Sequence, residues 1–496
     1  MPPKPSVQGA GFTSALCATG RATYMHPMET NPVLAFGRWL AETPDAWPAE
    51  ALESAHRQFI DVLAVTVPGA ADPVTARVYD TVRHWGAGPS TAIGFGAKLA
   101  APWAALVNGT AAHALDFDDN FDPAKAHATA VLAPAILALA EQEGSSGRQC
   151  LDAYIAGLQI LGRVGQGVNP AHRNRGWHAT ATVGAIGAAA AGARLLRLDA
   201  EKAAFAVSIA TSMAAGFMSQ FGTMVKPIHA GLAAKAGVMA ASFARNGINA
   251  GLHTLDGKTG MNRLMVGPDY EALRDSLTTF EHGQNLRFET ENVGEPLLIL
   301  SSGFRVKRFP NCGSAHRAQD GLLALKAEHG FTAADVEAIH VRAPVTHLNN
   351  LMYTAPEDVL QAKFSVEYGL ACCLVTGDCG LTDFTAEAVA REDVRALYMK
   401  IHRDPVDKSE GEFPTEIHVA LKDGRMLTTS IAMPMGSLAA PFPLDQYWAK
   451  YEGCVAGIMP AEDAAALRTA LEKLPDLPDL GPLFAPLAAP FASHSR

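Results

Sequence analysis

GAIGAAAAGARLLRL, residues 184–198, is the stretch on which the reading of the fold turns. Its first two thirds carry almost only small side chains, and such a run reads as a central, crowded helix whose neighbours can approach closely. Asp199 follows directly and is predicted to cap a further helix over residues 200–215. Outward from this centre, apolar residues recur at spacings of three and four in residues 34–40, 51–65 and 130–140. Residues 29–289 therefore read as an all-helical domain in which strand alternation is scarce.

The character changes after about Asn285, where glycine, proline and β-branched residues interrupt the helical pattern. AIHVRA (338–343) alternates like a strand, and EIHVALKDGRMLTTSI (416–431) reads as two strands joined at Asp423-Gly424. Helical patterns at 322–325 and 364–375 lie before and between them, so residues 290–435 read as a smaller α+β lid domain. Residues 436–475 turn helical again and are expected to return to the first domain. Residues 476–496 read as an irregular, proline-rich tail and residues 1–28 as a loose leader, with Met25 or Met28 as alternative starts. The expected fold is mainly α, one large helical domain with a smaller α+β domain.

Lys and Arg total 40 against 50 Asp and Glu, a net charge of −10. That balance argues against nucleic acid or an anionic membrane as the main partner, and an anionic substrate would need a local basic pocket. Seven cysteines without a CxxC pair signal neither a disulfide framework nor a zinc site, which fits a cytoplasmic protein. No run reaches the roughly 18–20 unbroken apolar residues of a membrane span.

Four polar clusters interrupt the apolar pattern. In NGTAAHALDFDDNFDPAKAH (108–127), Asp116, Asp118, Asp119 and Asp122 precede His127 and an apolar helix. One aspartate can orient or activate His127 as an acid or base, although a solvated acidic helix entrance would read the same. The literal DDxxD at 118–122 also fits a magnesium-diphosphate enzyme, but no second set of oxygen ligands appears downstream. His178 sits in GWHAT at a helix entrance, where the dipole favours a neutral imidazole; a capping role would look alike. Lys226 lies in GTMVKPIHAG between apolar helices and suits a substrate carboxylate. Arg305, Lys307 and Arg308 precede a turn with Cys312 and His316, and three cations can clamp a dianion or form a solvated basic face. No Walker loop, GxSxG or dinucleotide fingerprint is present, so cofactor-free chemistry without a metal is expected.

Taken in order, NGTAAHALDFDDN, the His127 helix, GWHATATVG, GTMVKPIHAG, FPNCGSAH and Ala362-Lys363-Phe364-Ser365 resemble the MmgE/PrpD family over nearly the whole chain. The family includes 2-methylcitrate dehydratase, cis-aconitate decarboxylase and iminodisuccinate epimerase. The resemblance implies a helical domain with an α+β lid, a site between them, and a homodimer. It implies catalytic roles for Asp116, His127, His178 and Lys226, with Asn120 where decarboxylase-like members carry threonine. Substrate contacts are expected from Asn120, Arg305, Lys307, Cys312 and His316. The substrate would be a small di- or tricarboxylate. The reaction would be proton transfer beside one of its carboxylates, with dehydration placed first, epimerisation second and decarboxylation third. A helical scaffold whose histidines only cap helices is the non-enzymatic alternative.

Overall fold

The computed structural model describes residues 31–278, 280–408 and 413–491. The expected leader, residues 1–28, lies outside them. Up to Arg245 the chain forms α1 (Pro32–Glu42), α2 (Ala49–Ala70), α3 (Pro73–Val82), α4 (Ala101–Ala114), α5 (Thr129–Glu143), α6 (Gly147–Val168), α7 (Ala171–Asn174), α8 (Ala179–Leu195), α9 (Ala200–Thr211) and α10 (Val225–Arg245). Local chemistry sets their starts. Asn31 accepts from the Leu34 amide with Pro32 in the first turn, and Ser146 and Gln149 form a reciprocal capping box on α6.

The small-residue helix is α8, buried along nearly its whole length and packed on α5, α6, α9 and α10. Glycine permits that density. A Cβ on Gly237 of α10 would stand 2.3 Å from the Ala188 Cβ, and one on Gly231 would stand 2.2 Å from the Leu106 carbonyl oxygen of α4. Asp199 caps α9 as expected, accepting from the Lys202 amide at 2.9 Å. That helix ends at Thr211, short of residue 215, because the backbone turns away so that the Gly216 carbonyl accepts the His178 N–H at 3.0 Å. The sequence also hid a hairpin in the helical part. β1 (Ala87–Ala92) and β2 (Ala97–Leu99) pair antiparallel around Gly94 and Gly96, both at positive φ.

A two-residue ribbon, β3 (Asn120–Phe121) with β4 (Phe304–Arg305), ties the loop after α4 to the approach of the α+β part. That part holds a four-stranded sheet ordered β6-β5-β7-β8, from β5 (Val336–Pro344), β6 (Ile401–Val406), β7 (Thr415–Leu421) and β8 (Met426–Ile431). β6 runs parallel to β5, and the β7–β8 hairpin turns at Asp423-Gly424, with Gly424 at φ +90°. The helix His316–His329 covers one sheet face, with Val366–Thr376 packed against it, and Ile339, Val341, Ile417 and Val419 point into that core.

The described residues form two apolar cores. The larger includes Leu286, Val293, Leu298, Phe304 and Val306, past the composition change near Asn285, and resumes at Phe442. The smaller runs from Phe309 to Leu427. The two chain crossings between them lie side by side: the Val306 amide donates to the Gly436 carbonyl at 2.9 Å, and Arg305 bridges to Ser437. The helices Leu444–Val455 and Ala461–Glu472 rejoin the helical body, the former against α2. Beyond them regular structure is sparse, but Leu483, Leu487 and Phe491 are buried there, and the Phe491 amide donates to Gly94 in the first hairpin. Among the described residues, no single helix is long and apolar enough to cross a membrane.

Candidate active site

A cavity of about 360 Å³ opens between the helical body and the α+β part. The body supplies the loop after α4, the entrances of α8 and α10, and the strand run Arg305–Lys307. The α+β part supplies Cys312–Ser314, the helix Val345–Asn350 and Phe364. At the rim the two halves touch through Arg173, whose guanidinium donates to the Asn350 side chain at 3.0 Å.

Asp116 is the electrostatic hub. It leaves α4 with φ +54°, a left-handed conformation that aspartate tolerates better than most residues. The turn aims its Oδ1 at two ammonium groups, Lys307 Nζ at 2.7 Å and Lys226 Nζ at 2.9 Å, and Lys307 also donates to the Asp116 carbonyl. Burial alone would raise this carboxyl, but Lys226 and Lys307 overcome it and hold Asp116 well below the usual range. Lys226 also lies over the rings of Phe221 and Phe364, at 5.5 and 5.1 Å from their centres. A third buried lysine, Lys363, donates to the Ala114 carbonyl at 3.1 Å, and burial lowers its pKa.

Of the four aspartates in this cluster, Asp118 makes the closest approaches to the imidazoles. The Asp118 carboxylate receives His113 Nδ1 at 2.9 and 3.0 Å and stands 3.2 Å from His127 Nδ1, whereas His127 Nε2 is 3.8 Å from Asp116. Burial opposes charge on Asp118, and the two imidazoles hold it well below the usual range. The His113 and His127 rings are 4.3 Å apart. Burial lowers His113 to about 4 and lowers His127 as well, with nearby lysines adding to the effect. On the α8 side, His178 Nδ1 shares a 2.9 Å hydrogen bond with His229 Nδ1, and its ring meets Phe221 edge-on. Burial, then Lys226, holds His178 well below its ordinary value, and burial brings His229 to about 4. Four imidazoles biased towards the neutral form thus sit beside three buried lysines, an arrangement able to accept a proton while cations hold an anion.

The structure brings Asp116, Asn120, His127, His178, Lys226, Arg305, Lys307 and Cys312 to one cavity. His316 is not on its wall. It packs edge-on against Phe309 and borders a smaller void behind Asn120, Arg305 and Lys307, its pKa held well below normal by burial. Arg308 turns away to Asp320 at 3.1 Å, so the basic run clamps with two cations and not three. Arg305 pairs with Asp122 at 2.5 Å. His113, Asp118 and Lys363 complete the site, and His229 supports it.

The DDxxD carboxylates do not converge: Asp118 serves imidazoles, Asp119 accepts from the Thr129 amide, and Asp122 holds Arg305. That is not a magnesium-diphosphate geometry. His113, Asp116, Asp118 and His127 do place ligand atoms within 4.8 Å of one another. Two ammonium groups on Asp116 already occupy the position a cation would need, so the donor set fits a dication poorly.

Two domain models match the chain in order: the MmgE/PrpD N-terminal domain over residues 35–273 and the MmgE/PrpD C-terminal domain over residues 309–476. Among curated proteins, the chain is 27% identical over 458 residues to cis-aconitate decarboxylase of Mus musculus, covering 88% of this chain and 89% of that protein. It is 26% identical over 473 residues to cis-aconitate decarboxylase of Aspergillus terreus, covering 90% and 94%. The Homo sapiens cis-aconitate decarboxylase matches at 27% over 404 residues, 79% and 80%.

Proposed function

Because this chain belongs to the MmgE/PrpD family, with both of that family's domains in order, we propose that it is a lyase of small di- or tricarboxylates. The single observation that carries the reading is the convergence of Lys226, Lys307 and Arg305 with the imidazoles of His127 and His178 on one cavity. Loss of a proton or of carbon dioxide from the carbon beside a carboxylate leaves its bonding pair there as carbanion or enolate charge. Ammonium and guanidinium groups fixed in a largely buried cleft stabilise that charge without reorganising, which is where such groups lower a barrier most. Lys226 and Lys307 bind carboxylates in exchange for part of their contact with Asp116. His127, steadied by Asp118, and His178, steadied by His229, exchange the proton at the reacting carbon.

Decarboxylation of a cis-aconitate-like tricarboxylate is the reaction to test first, because the curated relatives carry that activity in their names. Dehydration, the reading the sequence put first, keeps one supporting observation. His113, His127, His178 and His229 are all depressed towards the neutral form, ready to take a proton from carbon before a hydroxyl leaves. Proton NMR in deuterium oxide with cis-aconitate, 2-methylcitrate and iminodisuccinate separates the outcomes. Carbon dioxide loss, water loss and solvent exchange each leave a different spectrum. Turnover of none of the three, and no thermal stabilisation by any of them, would sink the polycarboxylate reading.

A further inference from the structure

The face of the four-stranded sheet turned away from its helices carries a row of histidines. Registration puts His340 of β5 opposite His402 of the parallel strand β6 and opposite His418 of the antiparallel strand β7. Their chain neighbours Ile339, Val341, Ile401, Ile417 and Val419 are buried in the core, so the alternation of the strands sends all three imidazoles to solvent. The rings of His340 and His402 are 4.9 Å apart. This row lies on the outer side of the sheet and is no part of the cleft lining.

We propose that this row is a binding site for a divalent transition-metal ion of the zinc class, held by His402, His340 and His418. Adjacent strands lie about 4.8 Å apart, so three imidazoles on neighbouring strands can lean over the central one and meet a common point. Zinc–nitrogen bonds of about 2.0–2.1 Å place ligand nitrogens roughly 3.4 Å from each other; the His340 and His402 rings, 4.9 Å apart, start near that spacing, and His418 has to turn toward them from the neighbouring strand to complete the set. The outer shell is already arranged. His340 Nδ1 lies 3.2 Å from the Asp404 carboxylate, which accepts its N–H and leaves Nε2 free for a metal. His418 Nδ1 lies 3.2 Å from the Thr428 hydroxyl, and its Nε2, 3.9 Å from the Glu416 carboxylate, would exchange that contact for the metal. The surrounding charge favours a cation. Asp404 and Glu416 flank the row, and Arg342 on the same face is paired with Glu416 at 3.0 Å. An imidazole set without thiolate selects zinc, copper or nickel over magnesium or calcium.

Calorimetric titration of Zn²⁺ into the metal-stripped full-length chain tests the site, with His340→Gln and the double variant His402→Gln/His418→Gln alongside. The substituted side chains are solvent-facing, and unchanged near-ultraviolet dichroism verifies folding. The expected result is a stoichiometric site in the native sequence that weakens about tenfold or more in His340→Gln and in the double variant. Co²⁺ in place of Zn²⁺ should give visible bands of nitrogen ligation that His340→Gln abolishes. Zinc bound by the cleft cluster around His113 and His127 would survive both variants, so affinity and stoichiometry unchanged by them overturn the proposal. Absence of zinc binding to the native sequence overturns it equally.

Discussion

At the scale of single residues, the cleft works because one carboxylate is made expensive to remove. Asp116 Oδ1 is shared by two ammonium groups and is itself buried, and truncating one partner of a buried pair leaves the other charge uncompensated. Asp116→Asn should therefore destabilise the protein by about 3–5 kcal/mol in denaturant titration, far more than an exposed pair would. His127→Ala and His178→Ala should each keep the fold and lower turnover about 10²- to 10⁴-fold on the identified substrate. If both kept full turnover, the acid–base assignment would have to be abandoned. The catalytic candidates in the first cluster were legible as a dense polar patch before an apolar helix. Their partnerships were not: His113 and Asp118 are five residues apart and meet only because the loop after α4 doubles back. Lys363 reaches the same place from 249 positions away in the chain, a distance no local pattern reports.

At the scale of elements, α10 both packs the core and delivers Lys226 from its first turn. Its close crossing with α4 depends on Gly231, where an added methyl group meets the Leu106 carbonyl and the Thr110 hydroxyl. Gly231→Ala is expected to cost about 1–3 kcal/mol by overpacking, and to lower kcat because the helix moves with its lysine. A variant with unchanged kcat and unchanged denaturation midpoint would show that the crossing has slack. The helices were readable because small residues and a three-to-four apolar period leave few alternatives, and the β7–β8 hairpin because Asp-Gly marks its turn. The β1–β2 hairpin escaped notice since AGPSTAIGFGAKL lacks clear alternation and is specified by contacts with distant segments such as Leu487 and Phe491. The end of α9 escaped for a related reason: its residues suit a helix, and the demand of His178 for the Gly216 carbonyl decides otherwise.

At the scale of the whole molecule, six imidazoles among the described residues are depressed by burial: His113, His127, His172, His178, His229 and His316. Each takes up a proton less readily when folded than when unfolded, so its contribution to stability is present above about 6.5 and is lost progressively as pH falls from there toward the folded value. Asp61, Asp119, Asp320 and Asp383 are raised and act with the opposite sign, Asp119 up to about 7. The imidazoles outnumber them, so the free energy of unfolding should fall steadily from pH 6.5 to pH 5 with net proton uptake. A flat profile over that window would show that the histidines ionise without unfolding. The mainly helical architecture with a smaller α+β part was readable from composition and period, while the placement of the cavity rests on contacts between segments far apart in sequence. One such contact has a mechanical meaning. The paired crossings at Val306 and Gly436 are stitched by backbone hydrogen bonding, whereas the rim at Arg173 and Asn350 is fastened by side chains. A body fixed along one edge can swing but cannot slide, so traffic of small acids in and out belongs to the loosely fastened margin. Amide exchange should accordingly be faster in Val345–Asn350 than at Val306, and a saturating ligand should narrow that gap.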